Sequence, residues 1–449
     1  MSVFQAIRQS QTASRLEKTA ACAVAVIVGL VCIAADWPQW QGPRRDNVSQ
    51  EKNLLKTWPA GGPPLIWTYK NAGIGYASPA IVGDCLYLTG ARGEEEFVYA
   101  LDLKANPPKE LWAAKIGPIF TFKQTKEWGD GPRITPTVEG GRVYALGGFG
   151  DLVCVDAAKG SEVWRKNLPK DLKAEVNSIG GGPEKFGWGF SWAPLVDGNQ
   201  LICVPGGPEG TLAALDKASG NVLWRSKELT EQASYSSPIV ADFGGERQYV
   251  VATNGGLHGV EAKTGKLLWT YKRNYPDVLI PTPIALKDEV YLAAGFGAGC
   301  DLIKIAKNDD SFKATKVFAN KEMKNDLGGV VLVDGYFYGY STQRGWICQD
   351  AKTGKQKWAE KQKLGPGSLT SADGILYCYG EGDGSVVLVE ANPKGWKELG
   401  RFAIPEKSER HAPSGKIWTH PVIANGKLYL RDLELLFCYD IQDKTAARP

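Results

Sequence analysis

No two of the nine cysteines in this 449-residue chain are adjacent, and no pair has the close spacing of a zinc finger. The three histidines lie away from them, so a Cys/His metal site has nothing to build on. Basic runs are missing as well. The formal net charge is only +4, which excludes the electrostatic footprint of a DNA- or RNA-binding protein. No paired carboxylates stand out for glycoside hydrolysis, and no nucleophile, base and orienting group can be joined from sequence. Two motif echoes also fail. Gly295-Phe296-Gly297-Ala298-Gly299 lacks the following helix of a dinucleotide site, and Glu381-Gly382-Asp383-Gly384 is too short for a calcium loop, so both read as turns.

What is present is 43% hydrophobic residues with 53 Gly and 26 Pro, the composition of many short strands joined by tight turns. The N-terminus has its own pattern. Arg8, Arg15 and Lys18 precede an uncharged apolar run from Thr19 to Ala35, and polar Asp36 follows. That order predicts a secretory leader over 1–35, with Cys32 and Ala34 forming a small-x-small cleavage site. A retained membrane anchor is the alternative, although the run falls short of the ~20 residues of a comfortable span. Gly29, Leu30 and Val31 do not resemble a lipobox before Cys32. The expected location is periplasmic or extracellular, with membrane contact only through this segment if it is uncleaved.

Cleavage leaves an odd set of cysteines: Cys85, Cys154, Cys203, Cys300, Cys348, Cys378 and Cys438. Complete pairing within one chain is then impossible. Cys154, Cys348 and Cys438 each stand two residues before an Asp, where other copies of a repeat have Ala100 or Ala214, which predicts small buried packing.

That repeat is clearest at Thr135-Pro136-Thr137-Val138, Arg142-Val143-Tyr144-Ala145, Leu152-Val153-Cys154-Val155-Asp156, then Gly160 and Trp164. It returns around Pro194 to Trp224, Pro238 to Trp269 and Tyr338 to Trp358, with weaker copies near Pro79, Pro283, Ser368 and Pro421. The segments are too short and too rich in Val, Leu and Tyr for helices. About eight such units predict an all-β, eight-bladed propeller of four-stranded antiparallel blades. In the turn Asp350-Ala351-Lys352-Thr353-Gly354, the Asp accepts backbone N–H groups and the Gly takes positive φ. The recurring tryptophans, Trp67, Trp112, Trp164, Trp224, Trp269 and Trp358, are assigned to the wedges between blades. The last unit ends without a Trp strand, and Leu65 to Tyr69 is a Trp strand without partners. Pairing the two closes the ring. The organisation read from this is a leader over 1–35, an extension over 36–62, the propeller over 63–442 and a tail over 443–449.

The Asp-x-x-x-Gly turn followed by Trp358, with its relatives ending at Trp164, Trp224 and Trp269, resembles the pyrroloquinoline-quinone-type propeller repeat. The opening Asp36-Trp37-Pro38-Gln39-Trp40 with Gly42-Pro43 is similar to the start of exported bacterial propellers of this kind. The resemblance implies either of two functions: the non-enzymatic scaffold subunit of the outer-membrane β-barrel assembly machinery, or a quinoprotein alcohol dehydrogenase. The dehydrogenases characteristically carry a disulfide between adjacent cysteines and a calcium-ligand set, and neither can be placed on this sequence. Fold alone does not decide between them.

Candidate functional residues come from two places. Residues just before the inner strands approach the channel mouth, and there Tyr76, Tyr235 and Trp418 are aromatic while His420 fills a slot of Ser and Thr. They either grip an extended peptide or flat ligand or plug the channel. The long connections after Trp112, Trp164 and Trp396 belong to nearby blades; two carry Phe120, Phe122, Trp128 and Phe186, Trp188, Phe190. These form either a ligand or partner surface or a lid of loops packed on each other. The function expected is a non-catalytic binding or scaffold propeller for a protein or small ligand, with no cofactor. The alternative is a divergent quinoprotein using pyrroloquinoline quinone and calcium.

Overall fold

The computed structural model describes residues 36–121, 125–177, 187–276 and 278–445; the leader at 1–35 and the loop residues Phe122 and Phe186 lie outside them. Along the described chain, eight antiparallel sheets follow one another as the blades of a propeller. Blades 1 to 7 span 80–118, 137–167, 195–225, 239–272, 284–320, 330–360 and 367–403. Blade 8 takes Val422–Ala424, Lys427–Asp432 and Leu435–Asp440, and its outer strand is Leu65–Tyr69 from the start of the chain. Trp67 pairs with Cys438 and Leu65 with Tyr439, so the closure expected from the orphan Trp strand is the one observed. First strands of neighbouring blades touch, Ala80–Val82 with Thr137–Glu139 and Gly367–Ala372 with Val422–Ala424 among them, as inner strands around a channel do.

The repeat folds this way because its turn and its tryptophan fit each other across blades. Asp156 accepts the N–H groups of Ala158 and Lys159 at 3.0 Å each, and Asp350 does the same for Lys352 and Thr353. These bonds hold both carboxyls below the usual range. The turn ends at Gly160, φ +69°, where a Cβ would lie 2.5 Å from the indole of Trp112 in the preceding blade. Gly220 meets Trp164, Gly265 meets Trp224 and Gly354 meets Phe318 in the same way. Glycine is thus fixed twice, by backbone sign and by the approach of the previous blade's aromatic ring. The indole N–H completes the joint: Trp112 donates to the Ala157 carbonyl at 3.1 Å and Trp164 to that of Lys217 at 3.1 Å. Phe318 is why blade 5 looked incomplete in sequence: a phenyl ring fills the indole's place. Cys154, Cys348 and Cys438 are buried and free, with burial pushing their thiols up to about 11, 11 and 12.

The segment assigned as an extension runs through the ring. Trp37 exchanges two backbone bonds of 2.8 Å with Ile81 of blade 1, and the Pro38 carbonyl accepts from Val138 of blade 2 at 2.8 Å. The chain turns through 41–46 and descends as Val48–Ser49, parallel to Ser371 and Ala372 of blade 7. Gln41, Arg45 and Asn47 all take positive φ here, a cluster of strained non-glycine residues sustained by the contacts of their side chains. Arg45, only 3% exposed, donates to the carbonyls of Ala193 at 3.1 Å, Pro238 at 2.9 Å and Pro194, and to the Gln39 amide oxygen at 3.1 Å. Asn47 donates to the Leu369 carbonyl and to a ring nitrogen of His420, 3.1 Å away. Residues 36–49 are therefore a plug bonded to most of the blades.

Candidate functional site

Above the plug, the connectors entering the inner strands enclose a cup of about 450 Å³. Trp40 of the plug and His420 lie at its base, with their rings 4.7 Å apart. Its wall takes Tyr76, Trp128, Trp188, Tyr235 and Trp418 from different connectors, with Arg133, Ile134, Thr135, Val278, Ile280, Asp326 and Leu327 between them. Four of the rings run in a chain: Tyr76 lies 5.2 Å from Trp418, Trp418 stacks on Trp128 at 6.3 Å, and Trp128 meets Trp188 edge-on at 6.4 Å. The long loops thus do pack on each other, and they do so around an opening. The Ser414 amide bonds the Glu127 carbonyl at 2.8 Å, tying the loop before blade 8 to the loop before blade 2.

Two tyrosines hold the wall upright. The Tyr76 hydroxyl donates to the Trp128 carbonyl at 3.0 Å. The Tyr235 hydroxyl donates to the Asn177 carbonyl at 3.0 Å and accepts from the Trp188 amide at 3.1 Å. Each hydroxyl reaches in over a glycine of positive φ, Gly129 or Gly187, where a Cβ would lie 1.8 or 2.4 Å from the oxygen. The local sequence follows from that fit: a tyrosine before the inner strand needs a glycine in the loop it clamps.

Most of the polar lining is engaged by protein groups. One ring nitrogen of His420 faces Asn47, and the other lies 3.3 Å from the Leu327 carbonyl. Asn47 offers N–H and Leu327 offers only a carbonyl, so His420 is neutral with its proton on Nε2. Burial holds its pKa down at about 4. Asp326 accepts from the Phe296 amide at 3.0 Å and from the Thr342 hydroxyl. Arg133 donates to the carbonyls of Gly131 and Gly129 at 2.9 Å each, and its guanidinium lies 5.3 to 5.7 Å from the ring centres of Tyr76, Phe120 and Trp188. Burial lowers its pKa. The hydroxyl of Thr135, fully buried at the cup wall, has no protein partner. Behind the wall, the Glu96 carboxylate accepts the amides of Phe120 and Gly148 at 3.0 Å each, and burial pushes its pKa up to about 7.

The structure therefore brings Tyr76, Tyr235, Trp418 and His420 to one cavity with Trp128 and Trp188. Phe120 and Phe190 sit elsewhere: both are buried, Phe120 beside Phe149 and Phe190 against Trp192, and they support the loops rather than line the cup. Sequence reasoning passed over Trp40, Arg133 and Thr135. It also read Phe296 only as part of a turn, yet that ring is 63% exposed and lines the cup, as does Trp128 at 41%. A signal for Trp40 was available, since a second tryptophan within three residues of Trp37 is unusual baggage for an unpacked extension.

A sequence profile described as outer membrane protein assembly factor BamB matches residues 94–360. The chain belongs to the BamB family. It is 26% identical over 276 residues to the BamB of Shewanella oneidensis, a match covering 58% of this chain and 66% of that protein. With the BamB of Burkholderia pseudomallei it shares 26% over 301 residues, 65% of this chain and 67% of the relative. Quinoprotein alcohol dehydrogenase PedH of Pseudomonas putida is also similar, at 26% over 179 residues, but this covers only 37% of the chain and 26% of the enzyme. Among solved structures, BamB from Moraxella catarrhalis superposes with a TM-score of 0.56 at 15% identity, over 84% of this chain and 99% of that one. Quinohemoprotein alcohol dehydrogenase from Comamonas testosteroni gives 0.61 at 14%, over 92% and 81%. At such identities the two structures show the shared propeller and nothing about chemistry.

The dehydrogenase relatives raise the question of whether the cup of this BamB-family chain suits a quinone with calcium. Its aromatic wall suits a flat ring. Calcium asks for six to eight oxygen ligands, several of them carboxylates. The cup offers one carboxylate, Asp326, already bonded to Phe296 and Thr342, and among the described residues no group of three or more His, Cys, Asp or Glu is placed to hold a cation. The residues present do not fit the calcium-bound cofactor.

Proposed function

We propose that this chain is an exported, non-catalytic binding propeller that presents its loop face to a partner protein or small ligand and receives an aromatic or other apolar group in the cup. One observation carries the reading. The cup is walled by rings, while its titratable groups are committed to protein partners: His420 to Asn47 and Leu327, Asp326 to Phe296 and Thr342, and both tyrosine hydroxyls to loop backbone. Apolar walls with few polar groups suit binding, and a volume of about 450 Å³ lies within the range of small-ligand pockets. A neutral histidine with both nitrogens bonded is a poor general base. Exposed Trp128 and Phe296 in the cup lining give a partner large rings to bury. The BamB relatives support a scaffold role in contact with other proteins, and they agree with export.

The second reading, a quinoprotein oxidoreductase, has the similarity to PedH and the ring-lined cup in its favour. Calorimetric titration of the mature protein with pyrroloquinoline quinone, with and without calcium, separates the two. We expect no calcium-dependent, saturable binding. Such binding would overturn the scaffold reading and start a search for an alcohol or sugar substrate.

A further inference from the structure

Of residues 36–49, Trp40 alone lines the cup. Trp37, Gln39, Gln41, Arg45 and Asn47 are buried among the inner strands, whereas Trp40 is only partly covered. Its indole N–H donates to the Thr282 hydroxyl at 3.0 Å, at the entry to blade 5, and its ring lies against His420 at the entry to blade 8. His420 is in turn bonded to Asn47 on the descending arm. The ring that floors the cup and the segment that fills the channel are therefore one mechanical unit. Without that segment, the inner strands would surround an open channel, and the carbonyls of Ala193, Pro194, Pro238 and Leu369 would lose the donors that Arg45 and Asn47 provide.

We infer that residues 36–49 are part of the binding site: Trp40 sets the depth of the cup, and ligand occupancy and seating of the plug are thermodynamically linked. The inference rests on the proposed reading of the cup as a binding site. A ligand that packs on Trp40 gains that contact only when the plug is seated, so binding must shift the plug towards its seated state, and loosening the plug must weaken binding by the same factor. The cup is then a blind pocket that admits a group only as deep as Trp40. Its selectivity by size belongs to a stretch of chain remote in sequence from most of the wall.

The test uses the mature full chain and the apolar dye 1-anilinonaphthalene-8-sulfonate, read by energy transfer from tryptophan and by hydrogen exchange. Dye binding should slow exchange of the amides that seat the plug, those of Trp37, Ile81, Val138 and Ser371. Trp40→Ala should weaken the dye by about tenfold, the worth of a lost ring contact, and Trp40→Phe should restore most of it. Thr282→Val removes the indole's acceptor without touching the plug backbone and should weaken binding about threefold, as loss of one neutral hydrogen bond predicts. This second variant keeps the test decisive should Trp40→Ala not fold. Saturable binding that neither variant alters, with plug exchange unchanged, would overturn the inference and leave the cup as a binding site. Absence of saturable binding to the wild type would overturn both.

Discussion

Arg45 belongs to the plug beneath the cup and Arg133 to its wall, and the two are held in opposite ways. Three of the acceptors of Arg45 are carbonyls at the entries to blades 3 and 4, and burial lowers its pKa to about 9. Arg133 bonds two carbonyls of its own loop and spends the rest of its surface on aromatic faces. The plug is thus a cross-link between blades, whereas the wall arginine shapes one loop. A floor tied across the ring lies under a wall tied loop to loop, an arrangement in which the opening adapts more readily than the floor.

Arg45→Ala tests this contrast most directly. It strands the carbonyls of three buried residues, Ala193, Pro194 and Pro238, and it should cost about 3–5 kcal/mol in urea unfolding, the range of a broken buried polar network. Arg133→Ala removes two bonds within a loop and some cation–ring contact, and it should cost only about 1–2 kcal/mol. Equal losses would mean that the plug is not the cross-link described.

The same contrast marks how far the sequence could be read. Blade number, strand order and ring closure were legible because each copy repeats a local mechanism: an Asp that caps a turn, a Gly forced by sign and space, and a Trp that reaches the next blade. The orphan strand at Leu65–Tyr69 declared its partner by elimination. Tyr76, Tyr235 and Trp418 were visible because an aromatic ring stood out in a repeated slot. The plug was not visible, since residues 36–49 follow no period and their partners, from Ile81 to His420, are spread over the chain. Arg133 sits in a loop of irregular length, and charge alone gave no hint that rings surround it. For Phe120 and Phe190 the sequence left a partner surface and packed loops equally open, because their burial depends on loops that meet only in space.

A second pair divides the same way and shows in the pH dependence of stability. His420, bonded to the plug, has its pKa lowered by burial from 6.5 to about 4. Between those values the unfolded chain binds the proton that the folded chain refuses. The contribution of His420 is therefore full above about pH 6.5 and is lost as pH falls towards 4, by roughly 3 kcal/mol. Glu96, behind the wall, is raised by burial from 4.5 to about 7. Here the folded chain holds the proton longer, so stability is full below about pH 4.5 and falls as pH rises to 7, by a similar ~3 kcal/mol. Urea midpoints from pH 4 to 8 should show both limbs. His420→Gln should flatten the acid limb and Glu96→Gln the neutral one, and a variant that leaves its limb unchanged would show that the group does not titrate as its burial implies.

The smallest effects concern the tyrosine clamps, and they ask whether the wall is held loop by loop. Tyr235 makes two bonds through its hydroxyl and Tyr76 one. Tyr235→Phe should cost about 1–2 kcal/mol and Tyr76→Phe about 1 kcal/mol or less, because one buried amide and one carbonyl lose a partner in the first case and one carbonyl in the second. Hydrogen exchange reports where the loss falls. Tyr235→Phe should speed exchange of the Trp188 amide, which donates to that hydroxyl, while leaving the plug amides of Trp37 and Asn47 as protected as before. Faster exchange in the plug as well would show that wall and floor open as one unit, and adaptation at the rim would then change the depth of the cup.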